Sequence, residues 1–303
     1  VGGTGKTQFV EMLVRILKKR GHNPAIVGRG YKKKTKGEVI VSDGRQILAD
    51  ADTSGDEMYL LANKLDVPVI AHEDKTQGAL SAEKNFDVDL IILDDGFQHR
   101  QLFRDLDILL IDRETVEQPE LIPKGRLREP IKNLSRADVV CLMGDQQMSD
   151  EFIKHTRPEQ LFIRATGKPL KPYDILTGDV CNFKRINELK ESLVAVSGIA
   201  RPERFENMLN SFNYNIVKHY AFGDHHDYKL KDLKKIKDEQ SNDGNSNIGT
   251  TEKDAAKLMK FKDFIEKNDL NCYVFPFSLK IIEGKREFFN SIEKIFNNID
   301  DKK

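Results

Sequence analysis

The first seven residues have the composition and spacing of a phosphate-binding loop. They read Val-Gly-Gly-Thr-Gly-Lys-Thr and match seven of the eight positions of the pattern Gly, four residues, Gly-Lys-Ser/Thr, whose first Gly would precede Val1. Small residues let backbone N–H groups close around phosphates, while Lys6 can reach the β and γ oxygens and the Thr7 hydroxyl can ligate Mg²⁺. A glycine turn before an ordinary helix is the alternative, but the run into a helix over residues 8–20 favours binding of a nucleoside triphosphate. The predicted nucleotide-binding residues are Gly2, Gly3, Thr4, Gly5, Lys6 and Thr7.

Two carboxylates end a later apolar stretch. Residues 91–93 are Ile-Ile-Leu, and Asp94 and Asp95 follow them. In P-loop enzymes an acid at this place holds Mg²⁺ or its water shell. A strand that ends in Asp is common by itself, so this interpretation depends on the phosphate-binding loop. Gln98 could orient a metal-bound water or merely satisfy the backbone of a tight turn.

A second acidic pair, Asp56 and Glu57, begins an apolar helix after Gly55. Asp is a favoured helix N-cap and Glu suits the first turn, so the local pattern favours capping. The functional alternative is a carboxylate that activates an acceptor hydroxyl, since a transferred phosphoryl group needs an oriented hydroxyl nearby.

Residues 223–227 read Gly-Asp-His-His-Asp and resemble a metal cluster at first. Adjacent histidines on one strand would point to opposite faces, so a single metal could not easily take both. A histidine that pairs with a carboxylate to move a proton is the functional reading, and a loop histidine without a role is the alternative. Further on, Thr251 with Asp254 three residues later is typical of a helix N-cap.

Two basic segments could meet phosphate. In the loop over residues 121–130, Arg126 or Arg128 could clamp phosphoryl oxygens with a planar guanidinium, and solvated surface cations are the alternative. The lysines of residues 32–36 suit a solvated face, an anionic lipid or a phosphate.

Composition narrows the class of protein. The 303 residues include 49 Lys plus Arg and 49 Asp plus Glu, so net charge gives no case for nucleic-acid binding. The sequence contains no apolar run long enough to predict a membrane span. Three scattered cysteines predict a reducing cytosolic setting without structural zinc. Because the sequence begins inside a motif, we expect a fragment whose N-terminal anchor or targeting segment is unseen.

Short apolar strands alternate with helical stretches in the first half, which predicts an α/β fold with a mainly parallel sheet covered by helices. The looser pattern over residues 152–174 predicts a boundary between domains 1–160 and 161–303. A polar loop is predicted at residues 241–246. The predicted strands are 24–28, 39–41, 67–71, 88–93, 108–111, 139–143, 192–197, 216–220 and 273–277, and the predicted helices are 8–20, 57–65, 78–85, 201–210, 255–259 and 286–297.

Together these segments resemble the tetraacyldisaccharide 4′-kinase family of lipid A synthesis over nearly the whole chain. The resemblance implies a P-loop domain and a smaller α/β domain joined by a short β linker. It also implies transfer of the ATP γ-phosphate to the 4′-hydroxyl of a tetraacylated glucosamine disaccharide at the cytoplasmic face of the inner membrane. The matching segments, in order, are residues 1–7, 29–31, 55–57, 93–99, 104–106, 125–130, 224–225 and 251–254.

The resemblance also implies roles for single residues. Asp56 would draw the proton from the 4′-hydroxyl, with His225 tuning it as a dyad after the cleft closes, since the two come from different predicted domains. Arg128 would stabilise the transferring phosphoryl group, and Lys6 would keep its P-loop role. Thr7, Glu57, Asp94, Asp95 and Gln98 would bind Mg²⁺ and order its water.

The sequence departs from the family in two ways. Met58 stands where members usually have Pro, and the membrane-associating N-terminal helix and first strand are absent from the sequence. Two other functions stay open, an ATPase or ligase acting on a small soluble carboxylate and a nucleotide-switched binding module. A base aimed at an acceptor hydroxyl, Asp56 with His225, would distinguish the kinase from both.

Overall fold

The structure is a computed structural model that describes residues 3–242 and 247–300. Gly2 of the predicted loop and residues 243–246 of the predicted polar segment lie outside the described residues. The chain forms two compact units that alternate along the sequence. The first unit comprises Val1–Arg29, His72–Lys168 and Leu279–Lys303, and the second comprises Gly30–Ala71 and Pro169–Ser278.

Helices and strands alternate through both units. The strands are β1 Pro24–Gly28, β2 Val39–Asp43, β3 Pro68–Ala71, β4 Leu90–Leu93, β5 Ile108–Asp112, β6 Val139–Met143, β7 Leu161–Pro169, β8 Tyr173–Asp174, β9 Leu193–Ser197, β10 Ile216–Ala221, β11 Asn247–Thr251, β12 Cys272–Phe275 and β13 Phe277–Glu283. The helices are α1 Lys6–Lys19, α2 Ala51–Ser54, α3 Asp56–Lys64, α4 Lys75–Asn85, α5 Arg113–Glu117, α6 Asp150–Ile153, α7 Phe183–Glu191, α8 Pro202–Ser211, α9 Leu230–Asn242, α10 Glu252–Leu258, α11 Lys262–Lys267 and α12 Lys285–Asp300. Two 3₁₀ segments are Ile131–Arg136 and Met259–Phe261.

Parallel strands dominate the first unit. β1 pairs in parallel with β4, and a four-stranded sheet has the order β13-β7-β6-β5, in which β5, β6 and β7 are mutually parallel. The apolar side of this sheet packs on Leu134 and Phe152, which are buried. Because ligands bind beyond the carboxyl ends of parallel strands, the polar loops after β4 and β5 are the segments of this unit suited to a site.

The second unit is built on a five-stranded sheet in the order β10-β9-β11-β12-β8, parallel except for β8. Its middle strand β9 is buried on both faces. Val194 and Val196 pack into one apolar cluster, while Leu193 and Ala195 pack into another. The sequence of such a strand is a continuous apolar run, because helices cover both faces of the sheet. β2 and β3 form an antiparallel pair in the same unit.

The predicted α/β class with mostly parallel strands is confirmed, and most predicted strands are found within two residues of their predicted ends. Elements that were not predicted include the strands β7, β8, β11 and β13 and the helices α2, α5, α6, α7, α9 and α11. The division into domains 1–160 and 161–303 stays a prediction. In the structure, however, residues 30–71 group with residues 169–278.

Candidate functional site

The predicted phosphate-binding loop leads directly into α1. Gly3 and Gly5 have φ angles of +81° and +88°, in the left-handed region that favours glycine. Gly5 is the N-cap residue of α1, and its carbonyl accepts a hydrogen bond from the Phe9 amide at 2.9 Å. Thr4 is buried. The turn therefore leaves the first amides of a 14-residue helix at the position where anions bind.

A cluster of charges in the first unit brings four of the predicted residues together. Asp95, directly after β4, lies 3.5 Å from Lys6 Nζ through Oδ1 and 2.7 Å from Arg128 Nη1 through Oδ2. The same Arg128 nitrogen donates to Gln98 Oε1 at 3.4 Å. Asp95 has a φ of +55°, uncommon for a non-glycine residue. Burial raises the pKa of Asp95, but Lys6 and Arg128 outweigh burial and hold the pKa below its usual value.

Arg126 and Arg128, which the sequence could not separate, have different partners. Arg126 Nη1 lies 3.2 Å from Glu114 Oε2, so this guanidinium is engaged at the rim of α5. Arg128 is the one that reaches the acid after β4. The choice between them therefore favours Arg128 as the phosphate-facing cation.

Lys75 is a further cation at this cluster that sequence analysis missed. Its buried Nζ donates to the Asp95 carbonyl, and burial lowers the pKa of the lysine. Lys75 is the first residue of α4, with Asp74 as the cap, whereas the sequence predicted a helix only over residues 78–85. Burial depends on the fold and leaves no local sequence signal.

The remaining predicted metal ligands are divided between the units, with Asp94 and Thr7 in the first and Glu57 in the second. Asp94 is buried at the end of β4, and Thr7 lies in the first turn of α1. Glu57 belongs to the second unit, where its Oε1 lies 3.6 Å from Lys253 Nζ. Within the described ranges, no group of three or more His, Cys, Asp or Glu side chains is arranged to hold a metal ion.

In the second unit, the structure places His225 against Asp56. His225 Nδ1 lies 2.9 Å from Asp56 Oδ2, across 169 residues of sequence. Because both residues belong to one compact unit, the pair forms without the closure between domains that was expected. The capping interpretation of Asp56 is wrong, since Gly55 is the N-cap residue of α3 and Asp56 is its first helical residue.

Two lysines on α10 support this pair. Lys257 Nζ lies 2.7 Å from the same Asp56 Oδ2, and Lys253 Nζ lies 3.2 Å from His225 Nε2. Burial raises the pKa of Asp56, but hydrogen bonds from His225 and Lys257 outweigh it and lower that pKa to about 2. Because a lysine ammonium only donates, His225 Nε2 accepts, and Nδ1–H donates to Asp56. His225 is therefore held between Asp56 and Lys253.

The second carboxylate oxygen of Asp56 has no such partner. Among residues 3–242 and 247–300, no hydrogen bond to Asp56 Oδ1 is found, and the side chain is 18% exposed. The Tyr31 ring packs beside His225, with ring centroids 5.1 Å apart. The arrangement therefore offers one fixed, ionised carboxylate oxygen to a hydroxyl.

The turn that carries His225 is itself held in place. His225 has a φ of +58°, and the neighbouring His226 Nε2 pairs with Asp232 Oδ2 at 3.1 Å. The predicted cap of α10 is confirmed, since Thr251 accepts from the Asp254 amide. The buried Asp254 carboxylate also accepts from the Gly198 amide at 3.0 Å. The two histidines thus pair with different carboxylates.

The lysines of residues 32–36 are engaged within the second unit. Lys32 Nζ lies 3.5 Å from the Asp224 carbonyl, and Lys34 Nζ lies 2.8 Å from Asp52 Oδ2. Lys33 donates to the Gly37 carbonyl. These three cations are thus paired within their own unit, although Lys32 and Lys34 remain exposed.

Comparisons with known proteins agree along the whole chain. A family model described as tetraacyldisaccharide-1-P 4′-kinase (LpxK) matches residues 1–297. A protein from Chlorobium phaeobacteroides named tetraacyldisaccharide 4′-kinase is 35% identical over 310 aligned residues, covering 98% of this chain and 86% of the relative. A protein of the same name from Halothermothrix orenii is 34% identical, covering 92% of this chain and 78% of the relative.

A solved structure has a similar fold. The crystal structure described as the "apo" form of LpxK from Aquifex aeolicus in complex with ATP superposes with a TM-score of 0.74 at 30% identity. The match covers 98% of this chain and 85% of that one. None of the described helices of this chain has the length and hydropathy needed to cross a membrane.

Proposed function

This chain belongs to the tetraacyldisaccharide-1-P 4′-kinase family and is an ATP-dependent kinase of lipid A biosynthesis, and we propose that Asp56 is the base of its phosphoryl transfer. The acceptor is the 4′-hydroxyl of an acylated glucosamine disaccharide. One observation carries the proposal: Asp56 Oδ2 is held by His225 and Lys257, while Oδ1 accepts no hydrogen bond among the described residues.

The transfer is a substitution at phosphorus. The acceptor O–H proton passes to Asp56 Oδ1, the acceptor oxygen bonds to the γ-phosphorus, and the bond from that phosphorus to the oxygen of ADP breaks. A carboxylate whose pKa lies near 2 is fully ionised near neutral pH, so the base is present in its active form. His225 Nδ1–H holds the carboxylate without itself giving up a proton.

The nucleotide is held by the loop that leads into α1. Backbone amides over residues 3–6 surround the phosphates, and Lys6 neutralises charge on the β and γ oxygens. Arg128, which pairs with Asp95 in the structure, then stabilises the equatorial oxygens of the transferring group.

The residues around Asp95 fit Mg²⁺ by their chemistry. Carboxylate, amide and hydroxyl oxygens are hard donors, and Mg²⁺ takes one or two carboxylates together with phosphate oxygens and water. We assign Asp94, Asp95, Gln98 and Thr7 to this role, whereas Glu57, in the second unit, stays a predicted ligand. When bound, the metal neutralises charge that develops on the phosphates.

We place the reaction at the cytoplasmic face of the bacterial inner membrane. The acceptor carries four acyl chains that remain in a bilayer, whereas ATP is a solute of the cytoplasm. The enzyme therefore works as a peripheral protein at the membrane surface.

Two variants test the base. Asp56→Asn keeps the shape of the side chain but removes its basicity, so kcat falls about 10²- to 10⁴-fold while ATP affinity is retained. Asp52→Asn is the matched control, because Asp52 also pairs with two cations, Lys34 and Lys260, but is exposed. ADP release is measured with and without the acylated disaccharide.

The same assay separates the other functions. An ATPase, ligase or nucleotide-switched module would release ADP at a rate indifferent to the lipid acceptor. Unchanged lipid-dependent turnover in Asp56→Asn would mean that Asp56 is not the base.

A further inference from the structure

Lys257 is a buried cation that no motif assigned. Its side chain is 8% exposed, and its Nζ lies 2.7 Å from Asp56 Oδ2 and 3.2 Å from the His226 carbonyl. Removing an ammonium from water is unfavourable unless the group is paired and hydrogen-bonded. Both acceptors are therefore part of a site that holds this lysine in one place.

A second ion pair in the same unit shows what is special about Lys257. Lys260 Nζ lies 2.7 Å from Asp52 Oδ1, the same distance, but the two side chains are 43% and 41% exposed. Exposed pairs are screened by water and contribute little to geometry. The pair of Lys257 with Asp56 differs in burial and in its location at the acceptor base.

The orientation of an Asp carboxylate needs more than one contact. The terminal torsion of an Asp side chain has a broad distribution, so a single hydrogen bond does not fix the position of the second oxygen. Here two donors from different elements, His225 in the turn after β10 and Lys257 on α10, meet on the same oxygen. The plane of the carboxylate is thereby fixed.

The geometry points to Lys257 as a positioning residue for phosphoryl transfer: together with His225 it holds Asp56 Oδ2 so that Oδ1 faces the acceptor hydroxyl. This inference rests on the proposed role of Asp56 as the base. Lys253, one helical turn earlier on the same face of α10, holds His225 Nε2 and completes the frame. The charged and titratable groups facing this frame are Asp56 and Glu57 from α3, Asp224 and His225 from the turn, and Lys253 and Lys257 from α10, with the Tyr31 ring beside His225.

Steady-state kinetics with ATP and the acylated disaccharide test the inference. Lys257→Met lowers kcat about 10- to 100-fold, because a misplaced base costs rate, while KM for both substrates changes less than about twofold. Lys257→Arg restores part of the lost kcat, since it keeps a charged donor. Lys260→Met, the control that breaks an equally short but exposed pair, leaves kcat unchanged. A Lys257→Met enzyme with wild-type kcat, or a Lys257→Arg enzyme no better than Lys257→Met, overturns the inference.

A double-mutant cycle separates this inference from the proposed function. If Lys257 acts through Asp56, adding Lys257→Met to Asp56→Asn causes no further loss of kcat beyond about twofold. A further tenfold loss overturns the positioning role. If Asp56→Asn alone keeps wild-type kcat, the proposed base fails instead.

The double-mutant cycle also distinguishes a loss of kcat from a loss of folding. Lys257→Met leaves a buried carboxylate with one donor fewer and destabilises the fold, which thermal melting followed by circular dichroism detects. The double variant removes both buried charges, so it folds even where the single variant does not. Its kcat relative to Asp56→Asn then decides the question.

Discussion

Arg128 Nη1 lies 2.7 Å from Asp95 Oδ2, so the predicted phosphoryl-stabilising cation and a predicted metal ligand are each other's partners in the structure. Lys6 approaches the other oxygen of the same carboxylate at 3.5 Å. Asp95 thereby keeps two phosphate-seeking cations together and partly neutralised. When phosphates enter, each cation can exchange one oxygen ligand for another without crossing a large distance.

We predict that Arg128→Met lowers kcat about 10²- to 10³-fold, because a cation aimed at the transferring group stabilises charge present only in the transition state. ATP affinity changes by less than about fivefold, since Lys6 and the loop amides remain. Turnover and nucleotide titration measure the two effects. Arg126→Met is the control, because Arg126 pairs with Glu114 instead. Equal losses in both variants would contradict the assignment of Arg128.

The pKa of Asp56 predicts a dependence of stability on acid. The folded value of about 2 lies below the ordinary value of 3.8, so the contribution is fully present above about pH 4 and is lost as the pH falls through 2. A shift of this size is worth about 2 kcal/mol. We expect the free energy of unfolding of the wild type to fall by about that much more than that of Asp56→Asn between about pH 5 and pH 2. Urea unfolding at several pH values measures this, and parallel acid curves would contradict it.

The thiols are predicted to be unreactive in the folded protein. Burial raises the pKa of Cys141 and Cys272 to about 12, and burial also raises the pKa of Cys181. The thiolate is the reactive form, and all three side chains are buried. A disulfide reagent near pH 8 should therefore modify none of them faster than the protein unfolds. In denaturant it should modify three, and one rapidly reacting thiol without denaturant would contradict the prediction.

Local patterns indicated several residues of the predicted nucleotide side that lie close together in the structure. The glycine spacing before α1, the acids after β4 and the cation at Arg128 are separate short motifs, and the structure brings Lys6, Asp95, Gln98 and Arg128 together. Each motif carries its own signal because it is defined by residues that are close together in the sequence. Only the direction of each side chain had to come from the structure.

The acceptor side was harder to predict because its contacts are distant in sequence. Asp56 and His225 were paired only through the family resemblance. The predicted domains 1–160 and 161–303 separated the two residues, because residues 30–71 precede most of the first unit in the sequence. Lys75 and Lys257 were given no role from the sequence, since burial of a charge is decided by neighbours from other elements. For Lys257 one signal existed, its spacing of four residues from Lys253.

The elements that were missed have specific reasons. β7 was obscured by nearby prolines, whose signals mark the end of regular structure. α9 has apolar residues at three-residue spacing, Leu230, Leu233 and Ile236, and the last two are buried. The many lysines of α9 made this narrow apolar stripe hard to recognise in the sequence. A count of the spacing would have predicted the helix.

The backbone of the phosphate-binding loop gives the last prediction. Gly5 and Gly21 have nearly equal φ angles, +88° and +92°, at opposite ends of α1. A Cβ on Gly21 meets nothing within 4 Å, and one on Gly5 meets the ends of two long side chains, Met143 Cε at 3.1 Å and Leu279 Cδ1 at 3.9 Å. Because strain from the positive φ dominates at both positions, Gly5→Ala and Gly21→Ala should each lower the free energy of unfolding by about 1 kcal/mol.

The two variants should differ in nucleotide binding. An alanine at Gly5 shifts the first amides of α1 away from the phosphates, so ATP affinity falls about tenfold or more, equivalent to about 1.4 kcal/mol. At Gly21, at the far end of the helix, ATP affinity should stay within about twofold of the wild type. Thermal melting and ATP titration of both variants check the pair of expectations. A matched loss of affinity in Gly21→Ala would mean that helix stability, and not the geometry of the loop, controls binding.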